Sequence, residues 1–223
     1  MSVTLLIAAT GVAAVSYIAA KDHRAANARR RGLLNECSAV LDRSKLSHRD
    51  DGFPILSGSH RGRGVHVDLV LDTMTIRRLP QLWLSTTLLD RNPGLPGFSI
   101  VVRHCGTEFY SLLSRFEHRV NAPAGLPAEV VIRGDAGAEA LLAELGPLIS
   151  DILADARVKE IAITDRGVRI VRQAAEGKRG DYLLLRQSVF ENARLAGEDF
   201  AAVLEQLHAL RRAITALRQA DAA

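Results

Sequence analysis

The run Val3–Ala20, VTLLIAATGVAAVSYIAA, constrains this chain more than any other stretch. It carries no charged residue and is followed at once by KDHRAANARRR. An uncharged helix of about 18 residues is long enough to cross a thin hydrocarbon core. Its Ala, Val, Ile and Leu residues surround the whole cylinder and leave no polar stripe, which argues against a surface helix. A cleaved signal peptide is the rival. It would need a basic segment before the apolar run, and only Met1 and Ser2 precede it. Ala14-Val15-Ser16 would cut inside the run, and Ala26-Asn27-Ala28 lies beyond Lys21 and Arg24. The expectation is an uncleaved anchor over residues 1–20.

Charge then sets an expected orientation. Lys21, Arg24, Arg29, Arg30 and Arg31 flank the run on one side, with only Asp22 against them. The positive-inside rule places the following domain in the cytoplasm, on a single-pass protein of the inner membrane. The same cations would meet anionic headgroups, and Tyr17 would suit the interface. The membrane is thus an expected partner through residues 3–20.

The formal net charge of +4 hints at nucleic acid, but its location says otherwise. The basic excess of residues 21–31 accounts for all of it, so the remainder is neutral and offers no phosphate-tracking face. Cys37 and Cys105 are the only cysteines and do not form a paired spacing, so neither a disulfide framework nor a zinc knuckle is expected. No cofactor is implied.

Beyond the anchor, Leu33, Leu34, Cys37, Val40 and Leu41 recur at helical intervals and predict a basic juxtamembrane helix within residues 21–50, reaching about residue 47. Residues 51–120 read as a strand-rich lobe. Phe53–Ser57 is a short strand, and Val65, Val67, Leu69 and Leu71 alternate with polar residues at a period of two. Leu82–Leu89 and Phe98–Arg103 continue an antiparallel meander. Phe109, Leu112, Leu113 and Phe116 predict a helix. The Pro- and Gly-containing loop 121–127 marks the boundary of a second lobe, residues 121–223. There Glu129–Arg133 is a strand, Asp135 caps a Leu-rich helix that Gly146-Pro147 should kink, and a hairpin turns at Asp165-Arg166-Gly167. Tyr182–Arg186 reads as a further strand. Val203, Leu207, Leu210, Ile214 and Leu217 step by four and three along a final helix, a seam for the sheet or for self-association. The expected class is α+β: an N-terminal transmembrane helix, then a two-lobed domain of antiparallel sheet with covering helices.

Within this second lobe, Leu126–Val171 resembles a segment shared by uncharacterised bacterial membrane-associated proteins. In those a strand ends in a Val-x-Gly-Asp-like turn (Val131 to Asp135 here), a Leu-rich helix follows, and a hairpin closes on a short Asp-x-Gly turn (Asp165 to Gly167). The resemblance implies an α+β fold and no activity.

Candidate chemistry is sparse. The turn Gly58-Ser59-His60-Arg61-Gly62-Arg63-Gly64 sets His60, Arg61 and Arg63 among flexible glycines, where guanidinium forks and backbone N–H groups suit a phosphate or lipid headgroup. It has no Gly-Lys-Ser/Thr, and a plain hairpin turn explains the same glycines. His66 and Asp68 share a strand face, with His104, Cys105, Glu108 and His118 in the same lobe. They offer metal ligands or a Cys–His pair, or simply a polar sheet face. No serine-hydrolase or dinucleotide-binding motif occurs. The function expected is a non-catalytic interaction or assembly domain at the membrane, binding a protein partner or itself. The alternatives are an anionic-lipid or phosphate-binding module using the 58–64 loop, and a tethered hydrolase.

Overall fold

The computed structural model describes residues 3–73, 79–177, 190 and 193–221; the side chains of residues 3–9, 15, 19, 22, 23 and 221 lie outside the described ones. A helix α1 (Val3–Arg31) and a single turn α2 (Asn35–Ser38) lead into β1 (Asp42–His48), β2 (Pro54–His60), β3 (Arg63–Asp72), β4 (Gln81–Leu89) and β5 (Phe98–Val102). After a 3-10 turn (Leu112–Arg115) come β6 (His118–Arg119), β7 (Val130–Gly134), α3 (Ala138–Leu153), β8 (Val158–Thr164), β9 (Gly167–Glu176) and α4 (Gly197–Asp221).

Among the described residues the strands form one nine-stranded sheet in the order β1-β2-β3-β4-β9-β8-β5-β7-β6. Every pairing is antiparallel. This corrects the expected class. The chain is mostly one large antiparallel sheet with few helices, and the two expected lobes merge where β4 pairs with β9 and β5 pairs with β7 and β8.

Among the described residues, no helix is long and apolar enough to cross a membrane. The transmembrane span over residues 3–20, the single-pass topology and the inner-membrane location are corrected accordingly. From Thr10 onward α1 sets only Val12, Val15 and Ile18 among Ala, Gly11, Thr10, Ser16 and Tyr17, and its second half holds Lys21, Arg24, Arg29, Arg30 and Arg31. Too few bulky apolar side chains are gathered there to cover a hydrocarbon core.

Local differences have local causes. Residues 42–48, expected as helix, form β1, because hydrogen bonding to the edge of β2 overrides a weak helical period. The helix expected around Phe109–Phe116 is only the 3-10 turn, N-capped by Ser111 Oγ, which accepts from Leu113 N at 3.0 Å. Asp135 does not cap α3 with its side chain; its Oδ2 accepts from Gly97 N at 2.8 Å instead. α3 runs through Gly146-Pro147 as one element. The strand expected at Tyr182–Arg186 lies outside the described residues.

Alternation gives the sheet two unlike faces. Leu56, Val67, Thr86, Ile170, Ile161, Ile100 and Ile132 sit in register across seven strands, and the six apolar ones are buried in one core with Phe200, Val203, Leu204, Leu207, Leu210 and Ile214 of α4. The opposite face carries Ser57, His66, Thr87, Arg169 and Ser99 in the neighbouring row. Its centre is covered by the segment between β5 and β6. Glu160, wholly buried on β8, holds that cover down: it accepts from Ser99 Oγ at 2.6 Å, Ser111 Oγ at 3.0 Å and Leu112 N at 2.7 Å, and pairs with Arg169. Arg169 also donates to Tyr110 O at 3.0 Å. Beside it, Lys159 Nζ pairs with Glu108 at 2.8 Å and donates to Arg103 O at 2.7 Å. A buried carboxylate is stable only when its oxygens are this fully bonded.

Candidate functional site

The site begins at the β2–β3 hairpin. β2 ends at His60 and β3 starts at Arg63, so Arg61-Gly62 makes a two-residue turn with both φ positive, at 51° and 74°. That geometry matches the twist of the flanking strands and suits Gly62, whereas an L-residue at Arg61 costs about 1–2 kcal/mol. Contacts at the tip offset this strain. Arg61 Nη1 donates to Glu205 of α4 at 3.0 Å, and His60 Nδ1 lies 3.0 Å from His208 Nε2. Arg63 donates to Asp90 Oδ1 at 2.9 Å, while Asp90 Oδ2 accepts from Arg211 Nε at 2.8 Å. Arg218 reaches Asn92 Oδ1 at 3.2 Å. The hairpin tip, the loop after β4 and α4 are therefore stapled together by polar contacts.

The β8–β9 turn joins the same end of the molecule. Asp90 N donates to Arg166 O at 3.0 Å and Asn92 N to Asp165 O at 2.8 Å. Asp165 is paired with Arg115 at 2.8 Å. Gly167 is required here, since a Cβ would stand 2.1 Å from Leu88 O. Between the two loops lies an open groove of about 830 Å³, lined by Arg63, Leu89, Asp90, Arg91, Pro93, Asp165 and Arg166. Arg91 and Arg166 are exposed, and among the described residues neither guanidinium has an ion-pair partner. The groove thus presents uncommitted, forked donors on two loops fixed to each other by backbone hydrogen bonds, an arrangement suited to a phosphate.

No family model, no curated protein and no solved structure matches this chain. The reading of this end of the molecule therefore rests on its geometry.

The structure brings His60, Arg61 and Arg63 together with Asp90, Glu205, His208 and Arg211, and sets Arg166 of the expected Asp165-Arg166-Gly167 turn beside Arg91 on the adjoining groove. The helical seam of Val203, Leu207, Leu210 and Ile214 is buried in the core, with Leu217 half-buried at its end. Of the flanking cations, Arg30 lies 5.4 Å over the Phe53 ring, while Lys21, Arg24, Arg29 and Arg31 are exposed. His66 and Asp68 are on the polar sheet face, and Asp68 is paired with Arg49 at 3.1 Å. Cys105 Sγ donates to Glu108 at 3.0 Å rather than meeting an imidazole base. Burial opposes ionisation of Glu108, but the hydrogen bonds from Lys159 and Cys105 outweigh it and hold its carboxyl at about 2. His118 lies on the edge strand β6, paired with β7. Among the described residues no three His, Cys, Asp or Glu side chains gather as metal ligands. Cys37 is buried, which pushes its thiol up to about 12.

The His60–His208 contact makes the docking pH-dependent. Burial lowers the His208 pKa, and the neighbouring His60 and Arg61 lower it further. Below the ordinary histidine value, near 6.5, the unfolded chain takes up a proton that the folded state resists. Stability should therefore be level above that value and decline as pH falls through it. Urea midpoints at about pH 7.5 and about pH 5.5 measure the slope, and His208→Gln should flatten it. An unchanged slope in the variant would assign the acid sensitivity elsewhere.

Proposed function

We propose that this chain is a non-catalytic binding module whose arginine-lined groove takes a phosphate-bearing ligand. One observation carries the reading: Arg91 and Arg166 flank an open groove without ion-pair partners among the described residues, while Asp90 keeps Arg63 and Arg211 in place beside them. Arg61, spent on Glu205, braces the hairpin instead of contacting the ligand. A lipid headgroup and a free phosphate share this chemistry.

The test uses pyrophosphate by calorimetry, and vesicles with or without phosphatidylglycerol by co-sedimentation. An Arg91→Ala/Arg166→Ala double variant should weaken binding by about tenfold or more, since each charge-assisted contact is worth roughly 1.5–3 kcal/mol before solvent screening. Binding of pyrophosphate alone identifies a free phosphate, and binding of the anionic vesicles alone identifies a headgroup. Binding that survives the double variant, or no binding in either arm, overturns the proposal.

A further inference from the structure

The groove between the β2–β3, β4 and β8–β9 loops holds an apolar feature that a bare phosphate would leave uncovered. Leu89, the last residue of β4, is 47% exposed in its lining. Its neighbours on both adjoining strands are glycines. It pairs with Gly167 of β9, and toward β3 it lies over Gly64, where an added Cβ would meet Leu89 Cδ1 at 3.2 Å. Cross-strand side chains ordinarily cover one another. Neither glycine shades Leu89, and bare strand backbone lets a ligand approach closely. Pro93, also exposed, lines the groove from the loop after β4. The groove volume of about 830 Å³ far exceeds that of a phosphate group.

We infer that the ligand of this groove is a mononucleotide, its phosphate between Arg91 and Arg166 and its base laid on Leu89 and Pro93. The inference rests on the phosphate-binding reading of the groove and names the body that the phosphate carries. A base covers a single aliphatic side chain with one flat face, and guanidinium planes stack on it as well. The apolar patch is confined to these two side chains and is rimmed by Arg63, Asp90, Arg91, Asp165 and Arg166. Such a rim admits a ring with polar edges and opposes an acyl chain, which would desolvate those charges without bonding them. The Asp90 carboxylate takes two arginines and Asp165 takes one, so both keep acceptor sites for ribose hydroxyls.

Calorimetric titration of the full chain compares adenosine monophosphate with pyrophosphate, with ribose phosphate, which lacks the base, and with adenosine, which lacks the phosphate. Adenosine monophosphate should bind about tenfold tighter than ribose phosphate or adenosine. Leu89→Ser, at an exposed position, should bring adenosine monophosphate down to the level of ribose phosphate, with a far smaller effect on pyrophosphate. Arg91→Ala/Arg166→Ala should weaken all three phosphates. Pyrophosphate binding with no preference for adenosine monophosphate over ribose phosphate overturns the nucleotide and leaves the phosphate reading standing. A preference that survives Leu89→Ser, an equal loss of pyrophosphate in that variant, or binding of anionic vesicles without adenosine monophosphate does the same. Failure of all three phosphates and of the vesicles to bind overturns both readings.

Discussion

Replacing Glu160 with alanine should destabilise the folded protein by about 3–5 kcal/mol, the range for breaking a buried ion pair. The side chain is wholly buried and receives Ser99, Ser111, Leu112 N and Arg169 at once. Its removal strands the Ser99, Ser111 and Leu112 donors and leaves the Arg169 guanidinium largely buried without its counter-charge, with Tyr110 O as a remaining acceptor. The segment between β5 and β6 should then lift from the sheet. Trp83, the only tryptophan, reports this because its ring lies 5.7 Å from that of Tyr110. Urea unfolding followed by tryptophan emission should show both the lost stability and a shifted native signal. Glu160→Met/Arg169→Met, which removes the whole pair, should be less damaging than Glu160→Ala alone. Equal losses in the two variants would show that volume, and not charge, holds the segment.

Leu207→Ala should cost about 2–5 kcal/mol, through lost transfer energy and the cavity left behind. Leu207 is fully buried between α4 and the sheet, within the core that also holds Leu204 and Leu210. The seam to which it belongs was open to two roles in the sequence, covering the sheet or binding a second copy. Its packing against the sheet predicts a lower unfolding midpoint with an unchanged sedimentation coefficient. A variant that keeps its midpoint but changes mass would return the seam to self-association.

Strands β2 to β5 were legible because Val65, Val67, Leu69 and Leu71, or Leu82, Leu84 and Leu88, alternate as a half-buried surface requires. The antiparallel meander was legible as far as β4, but the expected step from β4 to β5 was not formed, because β9 and β8 stand between them. The pairing of β4 with β9 links residues far apart in sequence, and no local pattern encodes a partner. Residues 42–48 misled because a short segment of mixed polarity fits either period, and only the edge of β2 decides. At the candidate site, the Gly-rich turn pointed to His60, Arg61 and Arg63. Their partners Glu205 and His208 lie 144 and 148 residues away and were invisible as a group. Lys159-Glu160 did carry a signal that went unused: two adjacent charges inside the otherwise apolar strand VKEIAIT, which had to be bonded if that strand was central.

The place of β9 has a consequence for synthesis on the ribosome. β1 to β4 form a continuous meander, but the far edge of β4 is satisfied only when residues 167–176 arrive. Until then the nascent chain exposes a nine-residue strand, QLWLSTTLL, rich in Leu and β-branched side chains with no charge to deter pairing. Late closure of such an edge favours slow folding and leaves a window for association with other unfinished copies. Slower translation between residues 89 and 167 should lengthen that window and lower the yield of folded protein.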